Sequence, residues 1–397
     1  MARALGRASD NTPTPQESFA HAAAVGLAAT TLGLARFGYA ILLPAMRTDL
    51  KWSYTQAGGM NTANAVGYLA GALSATITTA AIGERRTFAL SFSLSAASIL
   101  ASGFTTNYAL LLSLRGLGGA AAAVLFISGG ILAARVANAS RSPGLVLGVY
   151  FAGVGPGILI SALVAPIVFD TAQGWRIGWL IMGAVAMVSG VVATRASRHI
   201  RETLKPPHGQ PAPLQRLGWG MAAFALFGLG YISYMTFIVA YYREAGRTVS
   251  EIVLFWSLLG FAAAASAWVW RSLLDRPGGT ALAALLAVVT AGAVLPLASN
   301  SGAAMFGSAI LFGAAFLSVS AAITQLIRQS LAPHQYAVGI AVAITLFAIG
   351  QVLGPVMTGV LADWSGNLKT GLAASTVFLA IAALVAMRQP RASSWSC

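Results

Sequence analysis

The chain has 397 residues, 57% of them hydrophobic and 9% charged, with a mean hydropathy of +0.76. A soluble domain carries about 25% charged residues, so the composition excludes an ordinary cytoplasmic enzyme and a disordered protein alike. The formal net charge of +14 comes from short basic clusters between apolar runs, with no basic stripe interleaved with aromatics, which argues against a nucleic-acid partner.

The first 18 residues are polar and proline-containing, and read as a cytoplasmic tail ahead of the first span rather than as a signal peptide. Spans of roughly 20 apolar residues are then predicted at 19–45, 54–80, 87–104, 107–134, 144–169 and 177–194. Residues 195–216, basic and proline-rich, form a cytoplasmic linker almost at the midpoint. Further spans are predicted at 217–242, 250–270, 280–298, 302–328, 336–362 and 369–387, with 388–397 as a cytoplasmic tail. The expected fold is an all-α membrane protein of twelve transmembrane helices in two pseudo-symmetric halves, 19–194 and 217–387. With both termini inside, sixteen basic residues fall in cytoplasmic segments and six in external ones, as the positive-inside rule requires. The expected location is a bacterial cytoplasmic (inner) membrane. The single cysteine, Cys397, permits no intrachain disulfide, and His21, His199, His208 and His334 have no metal-ligand spacing, so no metal or cofactor is expected.

The halves echo each other. Gly155-Pro156 in the fifth span and Gly354-Pro355 in the eleventh are 199 residues apart, and Gly38-Tyr39 and Gly230-Tyr231 are 192 apart. Paired halves with glycine-interrupted helices are a device of alternating-access carriers. The pattern resembles the major facilitator superfamily along essentially the whole chain. Arg115-Gly116-Leu117-Gly118-Gly119-Ala120-Ala121-Ala122 is similar to that superfamily's fourth-helix motif, with Gly118 where Gln is usual. Gly153-Val154-Gly155-Pro156-Gly157 resembles the fifth-helix motif, and Asp275-Arg276-Pro277-Gly278 the core of the cytoplasmic loop motif. The equivalent loop after the second span keeps Gly83-Glu84-Arg85-Arg86 but has Ala80-Ala81 in place of Asp-Arg. Arg36-Phe37-Gly38-Tyr39, Leu42-Leu43-Pro44-Ala45-Met46, Ala63-Asn64 and Gly67-Tyr68-Leu69-Ala70-Gly71 resemble the YbfB/YjiJ-type branch. That resemblance implies a transporter and names no substrate.

Ionisable groups in hydrocarbon are expensive and mark function. Two lie near the depth of the core, Arg36 and Arg115, at about nine and eight residues from the outer ends; Asn61 and Asn64 enter the second span by about seven and ten. These four polar side chains are expected to share one level in the outer part of the first half. The ten acids sit in tails, loops or the ends of predicted spans, Glu251 at the second position of 250–270 among them. Tyr39, the asparagines and backbone carbonyls can occupy guanidinium donors but cannot cancel two charges, whereas an anion can, and a guanidinium fork suits carboxylate or phosphate. Tyr68, Tyr231, Tyr234, Gln325 and Gln351 complete the candidate substrate-binding set. Each has a plainer alternative. Arg115 can serve helix packing, Arg36 can snorkel outward, the asparagines can bridge helices, and a buried tyrosine can have one internal partner.

Gly67 and Gly71, Gly155-Pro156, Gly354-Pro355 and Asp275-Arg276 are the candidate gating residues. By the resemblance, helices 2 and 11, and 5 and 8, face each other across the domain interface and slide; static packing is the alternative for the small residues. The expected function is that of a secondary carrier, not an enzyme, moving a small organic anion by rocker-switch alternating access, as a monomer in the bilayer. Without an intramembrane acid, coupling is expected to travel with the substrate as a protonated acid or to work by exchange. The alternative is an efflux pump for amphipathic or cationic compounds, and a non-transporting receptor is disfavoured by the lack of a soluble output domain.

Overall fold

A computed structural model describes residues 15–138, 150, 153–171, 173–198, 213–274, 276, 278–332 and 335–390. Among these residues twelve long helices follow one another. They are α1 (Pro15–Asp49), α2 (Tyr54–Ile82), α3 (Glu84–Ser102), α4 (Tyr108–Asn138), α5 (Val154–Asp170), α6 (Gly174–Ser197), α7 (Gly218–Glu244), α8 (Val249–Val269), α9 (Thr280–Ala298), α10 (Gly302–Ser330), α11 (Tyr336–Ser365) and α12 (Leu368–Met387). A 3-10 turn (Leu214–Leu217) precedes α7 and one helical turn (Arg271–Leu274) follows α8; no strand occurs among the described residues.

Ten of the twelve are long and apolar enough to cross a membrane. Of the other two, α5 is apolar but spans 17 described residues. α3 instead carries a buried serine face of Ser91, Ser95, Ser98 and Ser102. Ser91, Ser98 and Ser102 donate to the carbonyls of Thr87, Leu94 and Ser98 one turn back, at 2.7, 2.8 and 2.8 Å, so those hydroxyls need no water. Helix ends run up to four residues beyond the apolar limits; α1 continues through Arg47, Thr48 and Asp49. Polar residues end an apolar run without ending a helix. Ile77, Leu163 and Phe261 are 71%, 68% and 68% exposed, an outer surface suited to lipid rather than to water.

The start of α1 and the end of α12 share one face of the bundle, here the terminal face, and α2 and α8 both begin at the opposite, distal face. In the first half α2 and α3 pack on α4, α3 on α6, and α1 on α4, α5 and α6; in the second α7 packs on α11 and α12, α10 on α8 and α9, and α9 on α12. The halves meet where α2 packs on α11, α5 on α8 and α1 on α7. Exchanging each helix for its counterpart six places along turns the α2–α11 seam into the α8–α5 seam, which is how a twofold pseudo-axis relates them. Capping repeats the relation. Ser53 with Gln56 and Thr248 with Glu251 form capping boxes that start the counterpart helices α2 and α8.

The small-residue stripe lies away from the seam between the halves. A Cβ added at Gly67 or Gly71 meets the carbonyls of Gly116 or Ala120 on α4, inside the first half, and one at Gly354 meets the Leu229 carbonyl on α7. These approaches lie within a half, so the helix pairing inferred from the family does not carry these glycines with it. Gly155 does face the seam, against Gly260 and Ala264 of α8, and Pro355 presents its carbonyl to Gly58 of α2; Pro156 is exposed. Gly67→Val is accordingly expected to abolish recovery of folded protein in size-exclusion profiles. Gly116→Ala, whose added Cβ meets the nearest atom at 3.6 Å, is expected to be tolerated.

Candidate substrate site between the two halves

Arg36 is 6% exposed at the contact of the two halves, thirteen residues before the end of α1. Its guanidinium carbon sits 4.7 Å from the centroid of Tyr68, which is the midpoint residue of α2. From the other half come Tyr231, the midpoint of α7, and Gln351, within a residue of the midpoint of α11. Gln351 Nε2 donates to the Tyr231 hydroxyl at 2.6 Å, and that hydroxyl lies within electrostatic reach of Arg36. Four helices, two from each half, thus bring polar side chains to one central level. Around them stand aromatic walls: Tyr231 stacks at 4.8 Å on Phe227, 5.4 Å on Phe347 and 6.2 Å on Phe316, and Phe37 meets Phe316 edge-on across the seam at 5.8 Å. Among the described residues no carboxylate pairs with Arg36, and its Nε has no hydrogen-bond partner.

Arg115 is bound quite differently. It is 3% exposed, and its fork is filled by the protein: Nη2 donates to Asn61 Oδ1 at 2.7 Å, Nε to the Met60 carbonyl at 3.4 Å and Nη1 to the Ala35 carbonyl. The rings of Tyr39 and Trp179 lie 5.1 and 5.6 Å from its guanidinium carbon. Asn61 passes the link on, donating to Thr236 of α7 at 2.7 Å. Asn64 donates to the Arg115 carbonyl at 3.1 Å, and the Tyr39 hydroxyl to the Ala57 carbonyl at 2.8 Å. The expected single level of four polar side chains therefore divides in two. Because α1 runs on to Asp49, Arg36 sits deeper, while Arg115 with Asn61, Asn64 and Tyr39 ties α1, α2 and α4 nearer the distal face. Arg115→Met is expected to lower the midpoint of thermal unfolding, because the buried Asn61 Oδ1 is left unpaired at about 1–3 kcal/mol and the ties to the Met60 and Ala35 carbonyls are lost.

The remaining candidates are dispersed. Tyr234 is turned into its own half, hydrogen-bonded to Ser308 at 2.6 Å and stacked on Phe312 at 4.0 Å. Gln325 is half-buried five residues before the terminal-face end of α10, away from the central level. Asp275 lies outside the described residues; Arg276 is exposed, and its carbonyl accepts from Gln329 Nε2 at 3.4 Å. Among the described residues no group of His, Cys, Asp or Glu could hold a metal ion.

A set of contacts that the sequence does not reveal links the two halves at the distal face. Asp363 of α11 accepts from the first two backbone N–H groups of α2, Tyr54 at 2.8 Å and Thr55 at 2.9 Å, and from the Thr55 hydroxyl at 2.6 Å. A carboxylate from one half thereby caps a helix of the other, where unpaired N–H groups and the helix dipole favour negative charge. Glu244 of α7 accepts from Arg47 at 3.2 Å and from the Tyr54 hydroxyl. Deeper, the Thr62 hydroxyl donates to the Val352 carbonyl at 2.8 Å and Trp256 Nε1 to Ser161 at 2.9 Å. The only sequence signal was the Ser53 capping pattern, which shows where α2 starts but not what reaches it.

A profile of the family described as uncharacterised MFS-type transporter YbfB matches residues 28–387. The chain belongs to this family. It is therefore a transporter of the major facilitator superfamily, and the helical fold agrees. A crystal structure of a bacterial homolog to the human lysosomal transporter Spinster, inward-facing and unoccupied, superposes with a TM-score of 0.71 at 16% identity, covering 94% of this chain and 97% of that one. Its occupied form gives 0.70 at 15% identity over 94% and 97%. The nucleoside transporter NupG gives 0.68 at 11% identity over 94% and 97%. At such identities the likeness concerns the fold alone. No curated protein matches the sequence. For this YbfB-type transporter, then, the substrate has to be argued from the site itself.

Proposed function

We propose that this transporter is a secondary carrier of a small organic anion, held by Arg36 between the halves and released by alternating access. The observation that carries the reading is a buried guanidinium with an unpartnered Nε and no carboxylate pairing among the described residues. A charge in such a place costs several kcal/mol unless something neutralises it, and a carboxylate does so with charge-assisted hydrogen bonds. Tyr68, Tyr231 and Gln351 complete the polar level, and the aromatic walls suit a ligand with an apolar remainder. Arg115, Asn61, Asn64 and Tyr39 are assigned to holding the first half together rather than to contacting the ligand.

The halves, 19–194 and 217–387, are taken to rock as units, with 1–18, 195–216 and 388–397 as tails and linker. The terminal face is taken as cytoplasmic on the excess of basic residues there, in a bacterial inner membrane. Interhalf bonds through Asp363, Glu244 and Trp256 are concentrated toward the distal face, in keeping with a carrier closed outward. The protein is taken to act as a monomer, coupled by a co-transported proton or by exchange. The test is flux: purified protein in liposomes is expected to accumulate a radiolabelled carboxylate in exchange for internal unlabelled compound. Accumulation of organic cations with no carboxylate flux would favour the alternative, efflux of amphipathic or cationic compounds, which the aromatic walls alone would support.

A further inference from the structure

Gln351 is wholly buried, yet its amide is only half satisfied: Nε2 is spent on the Tyr231 hydroxyl, whereas Oε1 has no hydrogen-bond partner. Across the seam, the buried Arg36 Nε is also without a partner. Both unpartnered atoms belong to side chains gathered around the same Tyr231 hydroxyl. One is an acceptor and the other a cationic donor. A ligand that presents an anionic oxygen and, close beside it, a hydrogen-bond donor satisfies both and also offsets the guanidinium charge.

Resting on the anionic reading above, we propose that Gln351 sets the specificity of the site: its Oε1 accepts a hydrogen bond from a hydroxyl or ammonium group of a ligand whose carboxylate Arg36 holds. The substrates are then hydroxy- and amino-carboxylates in preference to plain carboxylates. The preference has a physical origin beyond one added contact. A plain carboxylate bound here leaves the Gln351 oxygen sealed from water without a donor, and sites built around a buried hydrogen-bonding group discriminate strongly against ligands that lack its partner. Tyr231 serves as the hinge between the two requirements, because it orients the amide while facing the guanidinium. The stacked Phe227, Phe316 and Phe347 around it leave the apolar part of the ligand an aromatic surface to lie on.

The test is calorimetric titration of the purified full-length protein with matched pairs: propionate against lactate, phenylacetate against mandelate, and phenylpropionate against phenylalanine. The donor-bearing member of each pair is expected to bind roughly tenfold or more tightly. Gln351→Met, of similar volume but without an acceptor, is expected to bring the ratio within each pair close to one. Gln351→Asn, which withdraws the acceptor by one methylene, is expected to reduce the ratio and serves in place of a Met variant that fails to run as a single species. Equal affinities within pairs for the native protein, or a ratio that survives in Gln351→Met, overturn the role of Gln351 and leave the anion reading standing. Binding of organic cations with no carboxylate binding at all overturns both.

Discussion

Arg36→Ala is expected to reduce carboxylate uptake into liposomes by roughly two orders of magnitude, since a charge-assisted hydrogen bond to a buried group is worth about 1.5–3 kcal/mol and the substrate's only cationic partner goes with it. The variant is expected to fold. Arg36 forms no ion pair among the described residues that its removal would break, and the relief of burying its charge offsets the lost contact with the Tyr68 ring, so the unfolding temperature should change little. Arg36→Lys keeps the charge on a flexible stem but loses the planar fork, and intermediate uptake is expected. The same experiment on Arg115 has the opposite signature, because its partners are the protein's own carbonyls and Asn61, and their loss falls on stability first. Two arginines of similar burial thus separate by which quantity moves, flux or melting temperature. Full uptake by Arg36→Ala protein would remove the anchor from the account.

The second large effect concerns the distal closure. Asp363→Ala removes the carboxylate that caps α2 from the opposite half, and an N-cap contributes about 1 kcal/mol, with charge at the helix N-terminus adding a few tenths more. The balance between distal-closed and distal-open forms is therefore expected to shift roughly tenfold toward opening. Glu244→Gln should act in the same direction and less strongly, because exposed ion pairs such as Arg47–Glu244 are worth little. The measurement is a spin-label distance distribution between Thr106→Cys, in the loop between α3 and α4, and Lys369→Cys, at the distal start of α12, on a Cys397→Ser background. A longer population that grows in Asp363→Ala supports the latch; identical distributions in the two proteins would show that closure rests on the helix seams alone.

Much of the fold was legible because hydrocarbon imposes its own length on apolar runs. The twelve helices and the pairing of α2 with α11 and α5 with α8 rest on patterns along the chain or on the family. The site was legible only in part. Arg36 announces itself as a charge in an apolar run, but its neighbours Tyr231 and Gln351 arrive from the other half, 195 and 315 residues away, and nothing local marks that meeting. Its depth was misjudged because α1 remains helical through Arg47, Thr48 and Asp49, beyond the apolar run. Arg115 looked like a second unbalanced charge because its principal partners are backbone carbonyls of Ala35 and Met60, which no side-chain pattern displays. Asp363 and Glu244 were passed over for a related reason: acids at span ends look like solvated loop residues until tertiary packing brings a helix terminus or an arginine to them.

What occupies the guanidinium of Arg36 decides whether the protein carries an anion. An electron cryomicroscopy map of the purified protein with its tightest-binding carboxylate is expected to show the ligand's oxygens within hydrogen-bonding distance of that guanidinium, flanked by Tyr68 and Tyr231. Ligand density elsewhere in the bundle, with Arg36 turned to a lipid headgroup or engaged by a side chain of the protein itself, would contradict the anion reading.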